Sequence, residues 1–221
     1  MYTNKILLSE FYWAIEGEGL WQGKLCYFIR FAGCNLNCSY CDEKDKMICV
    51  EDEIDNIILK IENNFGNMDN TNKRIVITGG EPFKQEAQLI NLLVELLDRK
   101  KYEICIYTNG TYCIPEALLK HKRIRFVVDY KLNDVGKMKE TNLINLDKGD
   151  VLKFVVEDVK KLNDIKRIAY QYPNTNIILS PAWDLINPKD ISNWMIANKV
   201  NDMKLGLQQH KYIYPEQMKG V

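Results

Sequence analysis

The chain has 221 residues, enough for one domain with a full hydrophobic core. Thirty Lys and Arg balance thirty Asp and Glu, so no net field draws it to nucleic acid or to an anionic membrane. No apolar run approaches the ~20 residues of a membrane span and the first residues show no secretory pattern, so a cytoplasmic location is expected, where seven cysteines stay reduced and point to metal or catalysis.

In chain order, residues 27–31 read as an apolar, β-branched strand. Residues 53–65 read as a helix, with Ile54, Ile57, Ile58 and Ile61 on one face. A strand at 74–78 follows, then a helix at 85–100 carrying Leu89, Leu92, Leu93, Leu96 and Leu97 at helical spacing. Strands at 104–107 and 125–129 flank a short helix at 115–120. Strands at 152–156 and 176–179 are each followed by a helix, at 158–170 and 188–198, which open on Asp or Pro. Residues 129–150, rich in Lys, Asn, Asp and Gly, form the longest irregular stretch and are expected to be a functional or mobile loop.

Strands alternating with helices imply a parallel sheet with crossover helices. Six strands are too few to close an eight-stranded barrel. The expected fold is therefore α/β, an open, incomplete TIM-like barrel formed by a single domain over residues 1–221.

The segment Gly33-Cys34-Asn35-Leu36-Asn37-Cys38-Ser39-Tyr40-Cys41 carries the chemistry. Cys34, Cys38 and Cys41 are spaced Cys-x3-Cys-x2-Cys, and thiolates are the standard ligands of iron–sulfur clusters. Three cysteines on a 4Fe–4S cube leave one iron free for a non-protein ligand. The amino and carboxylate groups of S-adenosylmethionine (SAM) can chelate that iron. A reduced cluster can then pass one electron to the sulfonium and release a 5′-deoxyadenosyl radical. Two other readings compete: a structural zinc site, which wants a fourth ligand from Cys26, Cys49, His121 or His210, and a run of buried structural cysteines. None of those donors has a standard zinc spacing. Cys26, Cys49, Cys105 and Cys113 read as ordinary small residues.

A second motif falls at the end of strand 74–78, as Gly79-Gly80-Glu81-Pro82. Glycines at a strand end allow close backbone approach to a ligand. Glu81 offers an acceptor for an ammonium group. Open parallel sheets bind ligands at the carboxyl ends of their strands. Thr108-Asn109-Gly110 and Asp129-Tyr130-Lys131 end two further strands and are expected to face the same cavity.

The triplet and Gly-Gly-Glu-Pro resemble the radical SAM superfamily. Further motifs resemble its 7-carboxy-7-deazaguanine synthase family: Glu10-Phe11, Glu16-Gly17-Glu18-Gly19, Phe28-Ile29-Arg30-Phe31, Ser180-Pro181, and the terminal Leu207-Gln208-Gln209-His210-Lys211-Tyr212-Ile213. The resemblance covers essentially the whole chain. It implies a homodimer, a one-electron donor such as flavodoxin or ferredoxin, and a magnesium ion. The implied reaction turns 6-carboxy-5,6,7,8-tetrahydropterin into 7-carboxy-7-deazaguanine, by hydrogen abstraction at C6, ring contraction and loss of ammonia. SAM is regenerated in this scheme. The implied alternative is a radical SAM enzyme acting on a related heterocycle; a non-catalytic iron–sulfur or zinc protein is the reading from another class.

The resemblance also assigns roles. Gly79, Gly80, Glu81, Thr108, Asn109, Asp129, Lys131 and Ser180 are expected to bind SAM. Glu16, Glu18, Arg30 and His210 are expected to bind the pterin, with Arg30 on its carboxylate. The tail from about residue 203 is expected to close over the site. The sequence departs from the family pattern at Glu16 (usually Gln), Glu43 (usually Thr), Tyr107 (usually Glu) and Asn133-Asp134-Val135-Gly136 (usually Pro-Ser-Ser-Gly). Where the family's Thr hydroxyl resembles a magnesium ligand, Glu43 sets a second carboxylate. It is expected to ligate magnesium, directly or through water; the alternatives are that Lys44 or Lys46 neutralises it, or that it points away from the site.

Overall fold

Apolar, β-branched runs buried on both faces build one open sheet, seen in a computed structural model that describes residues 4–41, 43, 49–66, 68 and 73–214. Strand β1 (Lys5–Ile15) pairs antiparallel with β2 (Leu25–Phe31) and with the edge strand β3 (Val50–Glu53). Helix α1 (Ile54–Phe65) leads into β4 (Lys73–Gly79), and α2 (Glu86–Asp98) into β5 (Tyr102–Thr108). The one-turn helix α3 (Glu116–Leu119) precedes β6 (Ile124–Tyr130), and α4 (Glu140–Leu143) precedes β7 (Val151–Val156). Then come α5 (Leu162–Ala169), β8 (Asn176–Pro181), α6 (Pro188–Ala197), β9 (Met203–Leu205) and α7 (His210–Ile213).

The order across the sheet is β3-β1-β2-β4-β5-β6-β7-β8-β9. From β2 to β9 every pairing is parallel, which makes a parallel run of seven strands, and the sheet does not close. All six expected strands are present. The expectation missed β1, β3 and β9. In β1 a register shift between Leu8 and Glu10 breaks the alternation, so the strand does not read as period two. Strand β3 is acidic and gains its pairing only from β1.

The outer face of the sheet carries the main core. Ile29, Ile75, Ile77, Ile104, Ile106, Phe126, Leu152 and Phe154 pack there with Ile57 and Ile61 of α1, Leu89, Leu93 and Leu96 of α2, and Ile165 of α5. The inner face changes character along the strands. Its lower part is apolar, with Cys26, Val76, Cys105, Val127, Val151 and Ile178 in a second cluster, covered by Leu20 and Trp21 from the β1–β2 loop. Two residues further along the same side stand Thr78, Tyr107, Asp129, Lys153 and Ser180. The sheet thus places its polar groups at the carboxyl ends of its strands.

Residues 129–150 are not the open loop expected. Leu132–Lys137 forms tight 3-10 turns and α4 follows. Asn142, fully buried, donates to the Tyr112 carbonyl at 2.7 Å and accepts from the Ile114 amide at 2.9 Å, which ties the segment to the chain after β5. Leu143 and Leu146 enter the main core beside it. Among the described residues no helix is long and apolar enough to cross a membrane.

Candidate active site

The polar ends of the strands surround a cavity of ≈ 190 Å³. The loop after β2 brings Cys34, Cys38 and Cys41 to its wall. The end of β4 sets that loop in place: the Gly80 amide donates to the Phe31 carbonyl at 3.1 Å, and the Glu81 amide to the Gly33 carbonyl at 2.9 Å. A Cβ on Gly80 would lie 2.1 Å from the Gly33 carbonyl oxygen, so only glycine lets the two loops meet. Asn109 and Asn35 lock the other side, Nδ2 of the former donating to Oδ1 of the latter at 2.9 Å. Cys34 Sγ accepts from the Leu36 amide at 3.4 Å and from Asn109 Nδ2 at 3.9 Å, donors that suit a thiolate.

The donor set fits an iron–sulfur cluster with one iron left open. Three cysteines reach the cavity and the other four do not line it. Cys26 and Cys105 are buried in the inner-face cluster, where burial pushes the Cys26 thiol up to about 12 and the Cys105 thiol upward too. Cys49 and Cys113 are exposed. Among the described residues, no three His, Cys, Asp or Glu side chains converge on one metal ion.

Opposite the cysteines lies a buried charge network. Lys131 Nζ is 2.8 Å from Asp129 Oδ2 and sits over the Tyr40 ring at 5.3 Å. Lys153 Nζ is 3.1 Å from Glu18 Oε1 and 3.7 Å from Asp129 Oδ2. Burial pushes the Asp129 carboxyl up, but Lys131 and Lys153 hold it below its ordinary value. Burial lowers both lysines as well, and the carboxylates outweigh it and raise them. The two lysines and Asp129 thus favour their charged forms together. Asp129 Oδ1 and Glu18 Oε2 are buried with no hydrogen-bond partner among the described residues. Such acceptors fit a ligand that brings N–H or O–H groups.

A profile of the Radical SAM superfamily matches residues 28–133. The 7-carboxy-7-deazaguanine synthase of Clostridium acetobutylicum is 38% identical, over 94% of this chain and 96% of its own. The chain belongs to the 7-carboxy-7-deazaguanine synthase family. The synthase of Koribacter versatilis is 30% identical, covering 97% of this chain and 99% of its own. The crystal structure of QueE from Escherichia coli shares the fold, with a TM-score of 0.70 at 20% identity, over 93% of this chain and 95% of that one. Membership in the radical SAM superfamily brings with it a 4Fe–4S cluster and SAM.

Of the residues expected to serve such a synthase, Gly79, Gly80, Thr108, Asn109, Asp129, Lys131, Ser180 and Glu18 line the cavity with the three cysteines. Others stand elsewhere. Glu81 is fully buried and accepts from the Phe83 amide at 3.0 Å, the Thr108 hydroxyl at 2.8 Å and the Asn109 amide at 2.7 Å. It braces two strand ends, and the ammonium-acceptor role does not hold for a side chain so enclosed. Glu16 is likewise buried behind Tyr107 and does not line the cavity.

Arg30 is held within the protein: Nε is 3.0 Å from Glu10 Oε2, NH1 is 3.2 Å from Glu43 Oε2, and NH2 donates to the Tyr12 hydroxyl at 2.6 Å. Arg30 therefore sets a cation beside Glu43. Lys44 and Lys46 lie outside the described residues. His210 packs on Gly17, where a Cβ would fall 2.1 Å from its Nδ1, and it is Gln208 of the same tail that lines the cavity. The Gln209 amide donates to the Gly17 carbonyl at 2.8 Å, and Gln22 Nε2 to the Leu207 carbonyl at 2.7 Å, so the tail is tied to the β1–β2 loop. Residues 215–221 lie outside the described residues.

Lys153 is the charged cavity residue that sequence reasoning missed. The signal was present as a lone charge inside the apolar strand Val-Leu-Lys-Phe-Val-Val. The desolvation argument that singled out Arg30 applies to it equally.

Proposed function

We propose that this chain converts 6-carboxy-5,6,7,8-tetrahydropterin to 7-carboxy-7-deazaguanine. What supports the reading most directly is the cavity itself, with three thiolates on one wall and two unpartnered carboxylate oxygens on the other. When bound, the cluster and SAM supply a carbon-centred radical that takes a hydrogen atom from a C–H bond. The chain's own residues then have definite tasks. Cys34, Cys38 and Cys41 hold the cluster. The backbone of Gly79 and Gly80, the side chains of Thr108, Asn109 and Ser180, and the Asp129–Lys131 pair hold SAM. Glu18, fixed by Lys153, accepts from the guanidine-like edge of the pterin.

Arg30 and Glu43 fit the carboxylate end. One guanidinium facing Glu10 and Glu43 leaves a net charge of minus one. An incoming pterin carboxylate makes that minus two, and a magnesium ion arriving with it would restore balance. The reading also takes in a closing role for the tail, a homodimer and a flavodoxin- or ferredoxin-type donor, which follow from the family resemblance, and the cytoplasmic location expected from the sequence.

The test is anaerobic reconstitution followed by dithionite, SAM and 6-carboxytetrahydropterin, with product detected by mass spectrometry. Formation of 7-carboxy-7-deazaguanine is expected. SAM cleavage to 5′-deoxyadenosine without pterin consumption would reject the substrate and keep the radical chemistry.

A further inference from the structure

Glu16 is 1% exposed and sits behind the cavity wall, at the root of the β1–β2 loop. The Tyr107 hydroxyl lies within hydrogen-bond reach of two oxygens: Glu16 Oε1, and the Glu18 backbone carbonyl at 2.8 Å. A phenol has one proton to give. Were Glu16 a carboxylate, both neighbours would only accept, and one close contact would lack a proton. With the proton on Glu16 the count closes. The acid donates to the Tyr107 oxygen, and Tyr107 donates to the Glu18 carbonyl.

Two further observations agree. Glu16 Oε2 is buried with no hydrogen-bond partner among the described residues, a state that costs a carbonyl oxygen far less than a carboxylate. Glu81 differs in its partners: its two oxygens receive three donors, whereas Glu16 Oε2 receives none among the described residues. The groups facing Glu16 are Glu18 on its own loop, Cys26 on β2, Arg74 on β4, and Cys105 and Tyr107 on β5. Arg74 is the one cation among them. It is shared with Glu103 at 3.6 Å and lies over the Trp21 ring at 5.8 Å. Burial raises the Glu16 carboxyl to about 7, against weaker pulls from the Tyr107 hydroxyl, the Trp21 amide and Arg74.

We propose that Glu16 is a positioning residue that works as a neutral acid: its proton orients Tyr107 onto the Glu18 carbonyl, and so fixes the Glu18 side chain at the cavity wall. Loss of the proton draws the Tyr107 hydroxyl to Glu16, leaves the Glu18 carbonyl unpaired, and sets a second negative charge beside Glu18. Ligand affinity at Glu18 then falls as pH rises.

The role for Glu18 in pterin binding rests on the function proposed above; the protonation of Glu16 does not, and the experiment separates them. Infrared difference spectra of wild type against Glu16→Gln are expected to show a protonated carboxyl band at about pH 6 that is lost by about pH 9. In Tyr107→Phe that band should move to higher frequency, since the acid loses its acceptor. In turnover, the wild-type KM for 6-carboxytetrahydropterin should rise about tenfold over the same range, with kcat changing less. Glu16→Gln, whose amide N–H donates to Tyr107 at any pH, should show a flat KM. Absence of the protonated band at about pH 6 overturns the proposal, and so does a Glu16→Gln KM that climbs as in wild type. A wild type that turns over no pterin rejects the substrate, and the infrared band then decides the proton.

Discussion

Lys153 Nζ lies 3.1 Å from Glu18 Oε1, joining residues 135 positions apart inside the protein. Strand β7 points that lysine at a loop from the first hairpin, and the pair closes one wall of the cavity. Strand β7 and the β1–β2 loop thus belong to one packed unit.

Lys153→Met should lower unfolding free energy by about 1–3 kcal/mol, because it takes the cation away from the half-buried Glu18. Urea denaturation measures this. Glu18→Gln in the same chain should restore part of the loss, since no charge is then left alone. A cost below about 1 kcal/mol would place the pair with solvent-screened surface bridges.

The reconstituted protein should carry about four irons, following the ligand rule for thiolate clusters. Replacing Cys34, Cys38 or Cys41 with Ala should abolish SAM cleavage in each case. Cys26→Ala and Cys49→Ala should retain it, since neither residue lines the cavity. Retained cleavage in Cys38→Ala would end the cluster assignment.

Arg30→Ala should remove pterin turnover and leave slow, uncoupled SAM cleavage. It takes away the cation shared by Glu10 and Glu43, which would otherwise face each other and the substrate carboxylate. At 4 Å, two such charges repel by about 4 kcal/mol at an effective dielectric near 20. Turnover of wild type should fall in the presence of a chelator. A wild type indifferent to chelator would mean that Arg30 balances the site without magnesium.

Stability should fall as pH rises from about 4.5 to about 7. Burial raises the carboxyls of Glu16 and Glu81 from 4.5 to about 7. In that window the folded state binds more protons than the unfolded one. Their stabilising effect is complete below about 4.5 and gone above about 7, to a limit of about 3 kcal/mol each. With like shifts, Glu16 and Glu81 should carry comparable shares of the effect. Urea unfolding of wild type and Glu16→Gln across this range checks it: the variant should show the shallower decline, and equal slopes would clear Glu16.

Sequence by itself determined the parallel strands, the long amphipathic helices and the cluster ligands. Each of these is local. The side chains of Ile75 and Ile77 share a face because a strand repeats every two residues, and Cys34, Cys38 and Cys41 are neighbours because eight residues contain them. Tertiary structure alone decided which charge meets which. Arg30 pairs with Glu10 because β1 lies antiparallel beside β2, and a register shift hid that strand from its own pattern. Glu81 follows two cavity glycines yet turns inward, because the ends of β4 and β5 present three donors to it. Lys153 finds Glu18, and Tyr107 finds Glu16, only once the β1–β2 loop folds across the inner face of the sheet. Periodicity says which way a side chain points. Its partner depends on register and on the packing of loops, which no short window of sequence contains.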